Sequence, residues 1–524
     1  SAERTAMIDE RDAGRIDDLW HAAVNSRGNY FSAQNPTALA ASIQSVIDKV
    51  TKGTATGSSA SSSSSVASTS NAVYITSYTG GSWTGDVAAY PISAAGIVST
   101  TATWNAKNTL ATKSPASRRI YTWEGSNRYA FTYGNMSNAM QAVFNQPIGF
   151  STPDGLGAAR VDFVRGVRTG ELVNGGTFRN RGVTPFGDVV NSSATFVGAP
   201  IASYDERIFT GYTAFANANK TRAKMLYVGA NDGMLHAFQA ANGNEAFAII
   251  PGPLLAKTRA LPEVAYAHKS FVDATPIAAD VKVGGWKTML FAPYGTGAKG
   301  LFALDVTSPG SAMLTPDSVK WDISGATSSQ IGYITGTPQR HPITGEPRIV
   351  GKYGASGNWA VFLPNGYNSD YDENGIRGPG DASLIVADLG TASDARVNTW
   401  TVGTNLHVIP TTSDGAGPYN GLSMPTGVDI NGDGYIDVLY AGDLKGNLWK
   451  FEMTDRNTAG MPPKAINTIV GKRLFQAVSA TGTPQPITVA PAVIRNGDGN
   501  YVVVFGTGRL LAPADKTRPP TGFP

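Results

Sequence analysis

Leu226-Tyr227-Val228-Gly229-Ala230-Asn231-Asp232-Gly233-Met234-Leu235-His236-Ala237-Phe238 is the stretch that decides the fold. A β-rich run meets an Asn-Asp-Gly turn and leaves as a second alternating run, which is the signature of a hairpin. The pattern returns as Leu439-Tyr440-Ala441-Gly442-Asp443-Leu444-Lys445-Gly446-Asn447-Leu448-Trp449-Lys450-Phe451. Weaker copies are Phe291-Ala292-Pro293-Tyr294 with Gly300-Leu301-Phe302-Ala303-Leu304, and Ser383-Leu384-Ile385-Val386-Ala387-Asp388-Leu389. Val73-Tyr74-Ile75 and Gly85-Asp86-Val87-Ala88-Ala89-Tyr90 form a further pair. The clearest copies fall roughly 65 residues apart, longer than the ~40–45 of a WD40 blade. Repeated four-stranded units at that spacing predict an all-β propeller with long inter-strand insertions. A sandwich would not explain the returning hairpin, and the lack of helical periodicity beyond residue 71 argues against a doubly wound α/β fold.

Composition agrees. The 524 residues include 60 glycines and 31 prolines, so turns outnumber long helices. A net charge of +3 with 15% charged residues leaves no nucleic-acid footprint. The absence of cysteine excludes disulfides, thiolate metal sites and thiol catalysis. No apolar run is long enough to span a bilayer, so no transmembrane segment is expected. Ser1-Ala2-Glu3-Arg4-Thr5 is no signal peptide, and both ends read as the interior of a longer protein.

Outward from the repeats, residues 1–52 read as a helical remnant of an upstream domain. Asn35-Pro36 is a cap and first-turn pair, and Leu39, Ile43, Ile47 and Val50 mark one helical face. Residues 53–70, with their serine run, read as a flexible linker. The propeller is expected over 71–524, with a long insertion around 126–200.

One loop carries chemistry: Asp429-Ile430-Asn431-Gly432-Asp433-Gly434-Tyr435-Ile436-Asp437. Oxygen-bearing side chains recur at Asp429, Asn431 and Asp433, Gly434 turns the chain, and Asp437 follows three residues later. The start matches an EF-hand loop, but the twelfth position is Tyr440 rather than a bidentate Glu. Val438-Leu439-Tyr440 reads as a strand. The expectation is therefore a nine-residue Ca²⁺ loop between two strands, with Asp429, Asn431, Asp433, the Tyr435 carbonyl and Asp437 as ligands. The plainer alternative is an acidic turn, since Asn, Asp and Gly favour turns for conformational reasons. Three carboxylates at these offsets would repel one another in a bare turn, which favours the cation. Calcium at extracellular concentrations would suit such a site.

Other candidates are weaker. Asp370, Asp372 and Asn374 with Asp381 repeat part of the pattern, but Arg377 and Pro379 interrupt it, so a solvated acidic insertion is favoured. Arg495-Asn496-Gly497-Asp498-Gly499-Asn500 reads as a hairpin turn, and Gly295-Thr296-Gly297-Ala298-Lys299-Gly300 as strand-turn-strand. His21, His236, His268, His341 and His407 show no metal-ligand spacing, and packing is the favoured role for His236. Trp321, Trp359, Trp400 and Trp449 are expected to pack blades together, with a sugar-binding role as the alternative. No nucleophile elbow or phosphate loop is present.

These features resemble the C-terminal half of the PilY family of type IV pilus biogenesis and tip-associated adhesin proteins. The segment Asp18-Leu19-Trp20-His21-Ala22-Ala23-Val24 through Gly28-Asn29-Tyr30-Phe31 is similar to that family's exit from a von Willebrand A-like domain. Phe178-Arg179-Asn180-Arg181 and Gly187-Asp188-Val189-Val190-Asn191-Ser192-Ser193 resemble its lead-in to the propeller, and Phe505-Gly506-Thr507-Gly508-Arg509 a blade motif. The loop at 429–437 matches the family's calcium site at Asp429, Asn431, Asp433 and Asp437. The resemblance implies a modified seven-bladed β-propeller of the quinoprotein dehydrogenase-like kind. It also implies a calcium-regulated role in pilus extension, retraction, twitching motility, virulence and attachment at the cell surface. The implied partners are pilins, minor pilins and host-surface receptors. The A-domain body is absent here, and the chain stops before the family's closing strands.

Two readings of other classes compete with this non-enzymatic one. A quinone-dependent dehydrogenase on the same propeller would need a central pocket with a stacking Trp, a cation and a catalytic Asp. A shared fold does not carry that function. Calcium as a purely structural staple of an adhesin is the third.

Overall fold

The computed structural model describes residues 61–62 and 71–509, apart from 81, 201, 203, 310–314, 343, 368–377, 392–399, 418 and 459. The helical segment expected over 1–52, most of the serine-rich linker, and Asp370, Asp372 and Asn374 lie outside the described residues.

Six sheets are present among the described residues. β1 (Ser61–Ser62), β2 (Ala72–Thr79), β3 (Thr84–Pro91) and β4 (Trp104–Asn105) form the first, in that order. Within the expected linker, Ser61 and Ser62 therefore pair with Tyr74 and Val73 as an edge strand. The second sheet takes β5 (Ile120–Glu124), β6 (Asn127–Ala130), β7 (Thr195–Val197), β8 (Met225–Gly229), β9 (Leu235–Gln239) and β10 (Glu245–Ile249). Its order is β6-β5-β10-β9-β8-β7, with β5 parallel to β10.

The next three sheets are plain four-stranded meanders. They are β11 (Ile277–Lys282), β12 (Trp286–Pro293), β13 (Gly300–Asp305) and β14 (Val319–Ser324); β15 (Val350–Tyr353), β16 (Asn358–Pro364), β17 (Ser383–Gly390) and β18 (Leu406–Pro410); and β19 (Thr426–Val428), β20 (Val438–Gly442), β21 (Asn447–Glu452) and β22 (Lys472–Gln476). β23 (Ala492–Arg495) and β24 (Tyr501–Val504) form a two-stranded sixth sheet. Every repeat copy read from the sequence falls on one of these hairpins.

The packing shows why these sheets make a propeller. Successive side chains on a strand point to opposite faces. Leu290 and Phe302 accordingly pack with Tyr227 and Phe247 of the second sheet, while Phe291 and Leu301 pack with Trp359, Val361 and Ile385 of the fourth. Phe362 and Leu384 then meet Leu439 and Trp449, and Val438 and Tyr440 meet Val493. Tyr74 and Val87 meet Leu226 and Val228. Each middle sheet is buried on both faces, so β16 and β17 contain no exposed residue. The first strands also lie side by side: β7 against β11, β11 against β15 and β19 against β23. Face-to-face meanders with adjacent first strands are blades around an axis.

The recurring glycine of the repeat has a steric reason. A Cβ on Gly229 would sit 2.3 Å from the Val272 carbonyl oxygen, and one on Gly442 would sit 2.2 Å from Ile487 Cγ2. In both blades the chain leading to the next sheet crosses at that point, leaving room only for hydrogen.

Residues 126–200, expected as a long insertion leading into the next blade, carry two strands of the second sheet. β6 belongs to a hairpin that widens the second sheet, and β7 is that sheet's first strand. Between them lie helices, as does one segment before β5. α1 (Ala106–Thr112), α2 (Asn138–Phe144), α3 (Gly157–Arg165) and, after β7, α4 (Tyr212–Asn219) are each under ten residues. At that length an apolar period hardly shows, which is why the sequence reads as lacking helices here.

Candidate metal centre

β19 ends at Val428 and β20 begins at Val438, so the nine acidic-loop residues are the whole connection, as expected from the sequence. Gly432 and Gly434 adopt left-handed conformations with φ of +78° and +89°. Those two reversals turn successive amides inward. Asp429 Oδ1 accepts from the Gly432 and Asp433 N–H groups at 2.7 and 3.2 Å, and Oδ2 from the Gly434 N–H at 2.8 Å. Asp433 Oδ1 accepts from the Tyr435 N–H at 2.9 Å, and Oδ2 from Asn431 Nδ2 at 2.8 Å. Asp437 is fully buried; it accepts from the Ile430 N–H at 2.7 Å and from the Thr454 hydroxyl at 2.8 Å.

The loop is tied to the neighbouring blade as well as to its own. The Lys352 N–H donates to the Gly434 carbonyl and the Ile436 N–H to the Lys352 carbonyl, both at 3.0 Å, which pairs Tyr435 with β15. The Tyr435 carbonyl, the expected backbone ligand, takes no part in that pairing. The Lys352 ammonium lies 5.7 Å from the Tyr435 ring centroid and 5.1 Å from that of Phe209.

Burial raises the Asp429 and Asp437 carboxyls above the usual carboxylate range, and repulsion from Asp433 adds to it. Burial pulls the Lys352 ammonium down, against the pull of Asp433 and Asp429. Among the described residues no lysine or arginine forms an ion pair with any of the three carboxylates. The donor set is all oxygen, which suits a hard divalent cation. Among the described residues no three His, Asp or Glu side chains are already set to hold a metal. The donor chemistry therefore fits calcium, while the carboxylates are turned to the loop's own amides; an ion would have to draw them together.

A pH prediction follows from these shifts. A carboxyl raised in the folded state opposes folding when ionised, so the metal-free protein gains stability as pH falls from neutrality through the raised range. Protons would compete with a cation for the same oxygens, so stabilisation by added calcium should shrink over that interval. Thermal melts at stepped pH, with calcium and with chelator, should converge from the two sides; parallel curves would contradict this.

The structure also places the remaining candidates. Asn496 accepts from the Asp498 and Asn500 N–H groups in the tight β23–β24 turn, and the glycine-rich 295–300 stretch joins β12 to β13. Trp321, Trp359 and Trp449 are buried between blades, with Trp321 edge-on to Trp400 at 5.1 Å. His407 lies 3.3 Å from the Tyr353 hydroxyl, and His268 bonds Asp188 at 2.8 Å beneath Trp83.

His236 is buried as expected, but its setting is charged. Its Nδ1 lies 2.9 Å from Glu245, its Nε2 3.1 Å from Asp232, and Glu245 receives Arg118 through two bonds of 2.8 Å. Burial alone would pull the imidazole down; Asp232 and Glu245 outweigh it and hold it up at about 9. A strand position between apolar neighbours gives no sign of this, because Arg118 enters from a distant segment. The one cue in the sequence is Asp232, four residues before His236.

The segment from Gln339 to Arg348 crosses between the blades' first strands. Gln339 Nε2 donates to the Ala490 carbonyl and Arg348 to the Val493 carbonyl, while Gly427 donates to the Arg348 carbonyl and Asp280 N–H to Glu346. One hairpin thus ties the third, fifth and sixth sheets together.

Blades of this kind, with one acidic loop joining two strands of one blade and pairing with a neighbour, define a β-propeller that carries a candidate cation site. The family model of the PilY1 beta-propeller domain matches residues 186–522, and the chain belongs to that family. It is 33% identical over 547 residues to the type IV pilus biogenesis factor PilY1 of Pseudomonas aeruginosa strain UCBPP-PA14, covering 96% of this chain and 44% of that protein. A PilY1 homolog of Xylella fastidiosa is 31% identical over 566 residues, covering 95% and 36%. The chain therefore spans less than half the length of these relatives. Among solved structures, the P. aeruginosa PilY1 C-terminal domain is 32% identical with a TM-score of 0.44, covering 61% of this chain and 60% of that one. A quinohemoprotein alcohol dehydrogenase of Pseudomonas putida is 14% identical with a TM-score of 0.23, covering 57% and 44%. No helix among the described residues is long and apolar enough to cross a membrane.

Proposed function

We propose that this chain is the calcium-responsive, non-enzymatic propeller of a type IV pilus biogenesis factor that works at the bacterial cell surface. Family membership supports the pilus role. The observation that carries the calcium reading is the loop at 429–437: three carboxylates, two of them raised by burial and mutual repulsion, with no basic side chain among the described residues paired to them. Calcium neutralises Asp429, Asp433 and Asp437, with Asn431 and the Tyr435 carbonyl completing the shell, and so orders the loop against β15. An ordered or loosened loop gives the pilus machinery two surfaces to read, and the choice between them sets extension against retraction, twitching and attachment.

The quinone-dehydrogenase alternative finds less support, since a shared fold does not carry that function. The staple reading differs from regulation only in the cell. In a strain carrying the full-length protein, Asp437→Asn should leave the protein present while making twitching insensitive to calcium. Twitching that still follows calcium would refute regulation by this loop.

A further inference from the structure

The chain between β7 and β8 leaves the second sheet and travels along one face of the ring. Its arginine anchor is Arg222, which donates to the Thr288 hydroxyl at 2.7 Å and the Thr307 carbonyl at 3.2 Å, both on the third sheet's side. α4 begins with Tyr212, whose hydroxyl donates to Asp280 at 2.7 Å. Trp286, at the start of β12, donates its indole N–H to the Thr210 carbonyl at 3.1 Å, and Lys282 donates to the same oxygen at 2.7 Å. Around that indole stand Tyr212, Tyr204 and Phe215, with ring centroids 4.8, 5.6 and 6.2 Å away. Phe209 reaches further, to 6.1 Å from Trp359 on the fourth sheet.

The middle of the segment touches the acidic loop. A Cβ built on Gly434 would lie 2.8 Å from Phe209 Cζ and 3.5 Å from Ile208 Cγ2, so the loop backbone and these side chains are in direct contact. The Lys352 ammonium stands over both the Phe209 and Tyr435 rings, joining strap, β15 and loop at one point. The strap thus leaves and rejoins the second sheet, reaching the loop of the fifth at Phe209. Its hold on the third sheet combines hydrogen bonds and stacked rings. Its hold on the loop is apolar contact with one glycine, which depends on where the loop lies.

We propose that the strap from Tyr204 to Arg222 is the element through which calcium in the 429–437 loop is felt across this face of the ring. The proposal rests on the calcium reading above. When the ion draws the loop together, the Gly434 backbone is fixed and Phe209 seats on it. Without the ion the carboxylates push apart, the seat loosens, and the strap between Asp205 and Phe209 opens more often. The exposed tip, Asp205-Glu206-Arg207, is what a partner on this face would meet first.

Trypsin reads the opening directly, because the Arg207 side chain is 89% exposed and cleavage after it creates a new terminus at Ile208. Cleavage follows the population of the open state. Millimolar calcium should slow this cut roughly tenfold relative to chelator in the 524-residue chain, a typical coupling between sites. Phe209→Ala should remove the protection. By reciprocity it should also weaken calorimetric calcium binding by about the same factor while keeping one site. Phe209→Leu, which retains most of the volume, should give intermediate protection and guards against misfolding of the alanine variant. Calcium binding with equal cleavage rates in the two conditions, or full protection in Phe209→Ala, overturns the strap and leaves the calcium reading standing. No calcium heat in the wild type overturns both.

Discussion

Asp437→Ala should abolish the thermal stabilisation that calcium gives the wild-type protein. A ligand at a hundredfold excess over its Kd stabilises the folded state by about 2.7 kcal/mol, and that increment should vanish. Asp437 is the decisive position because it closes the loop at its ninth residue and is fully buried, whereas Asn431 is exposed. The alanine also leaves the Ile430 N–H and the Thr454 hydroxyl without their acceptor, which costs about 1–3 kcal/mol by itself. Asp437→Asn separates the two effects. It keeps an oxygen for Ile430 yet removes the charge, so with chelator it should melt no lower than wild type, and with calcium it should not shift. An unreduced calcium shift in both variants would place the ion elsewhere.

Glu245→Gln should be among the most damaging single substitutions in the chain. It leaves Arg118 and protonated His236 facing each other in a fully buried site, with Asp232 alone to balance them. Removing one partner of a buried charge network costs about 3–5 kcal/mol, because the remaining charge stays desolvated. The sign of the pH dependence follows from His236. Its folded pKa of about 9 lies above the ordinary value, so its contribution is complete below the unfolded pKa and is lost as pH rises through about 9. Chemical denaturation at neutral pH and above should show wild-type stability falling on the alkaline side and Glu245→Gln low throughout. A loss under about 1 kcal/mol would mean that the network is not holding the second blade together.

Much of the architecture is legible because it is local. A hairpin writes itself into a dozen residues, so the turn at Asn231-Asp232-Gly233 and its partner at 443–446 mark blades without any knowledge of neighbours. The acidic strand-to-strand loop is legible for the same reason, with its oxygen-bearing side chains and reversing glycines inside nine residues. What escapes is non-local or too short to be periodic. α2 and α3 present barely two turns each, below the length at which an apolar face declares itself. Arg118 and Glu245 meet only after the second sheet has formed. Phe209 lies more than two hundred residues from Gly434, and nothing around either residue announces their contact. The loop's attachment to Lys352 is equally hidden, since it pairs a loop of one blade with the first strand of another.

The loop's role as a cation site is the claim on which the functional account stands, and calorimetric titration of calcium into the metal-free chain tests it most directly. The account predicts one binding event per chain, weakened as pH falls, and no heat from Asp437→Ala. Absence of binding by the wild type, or an unchanged single site in Asp437→Ala, would contradict it.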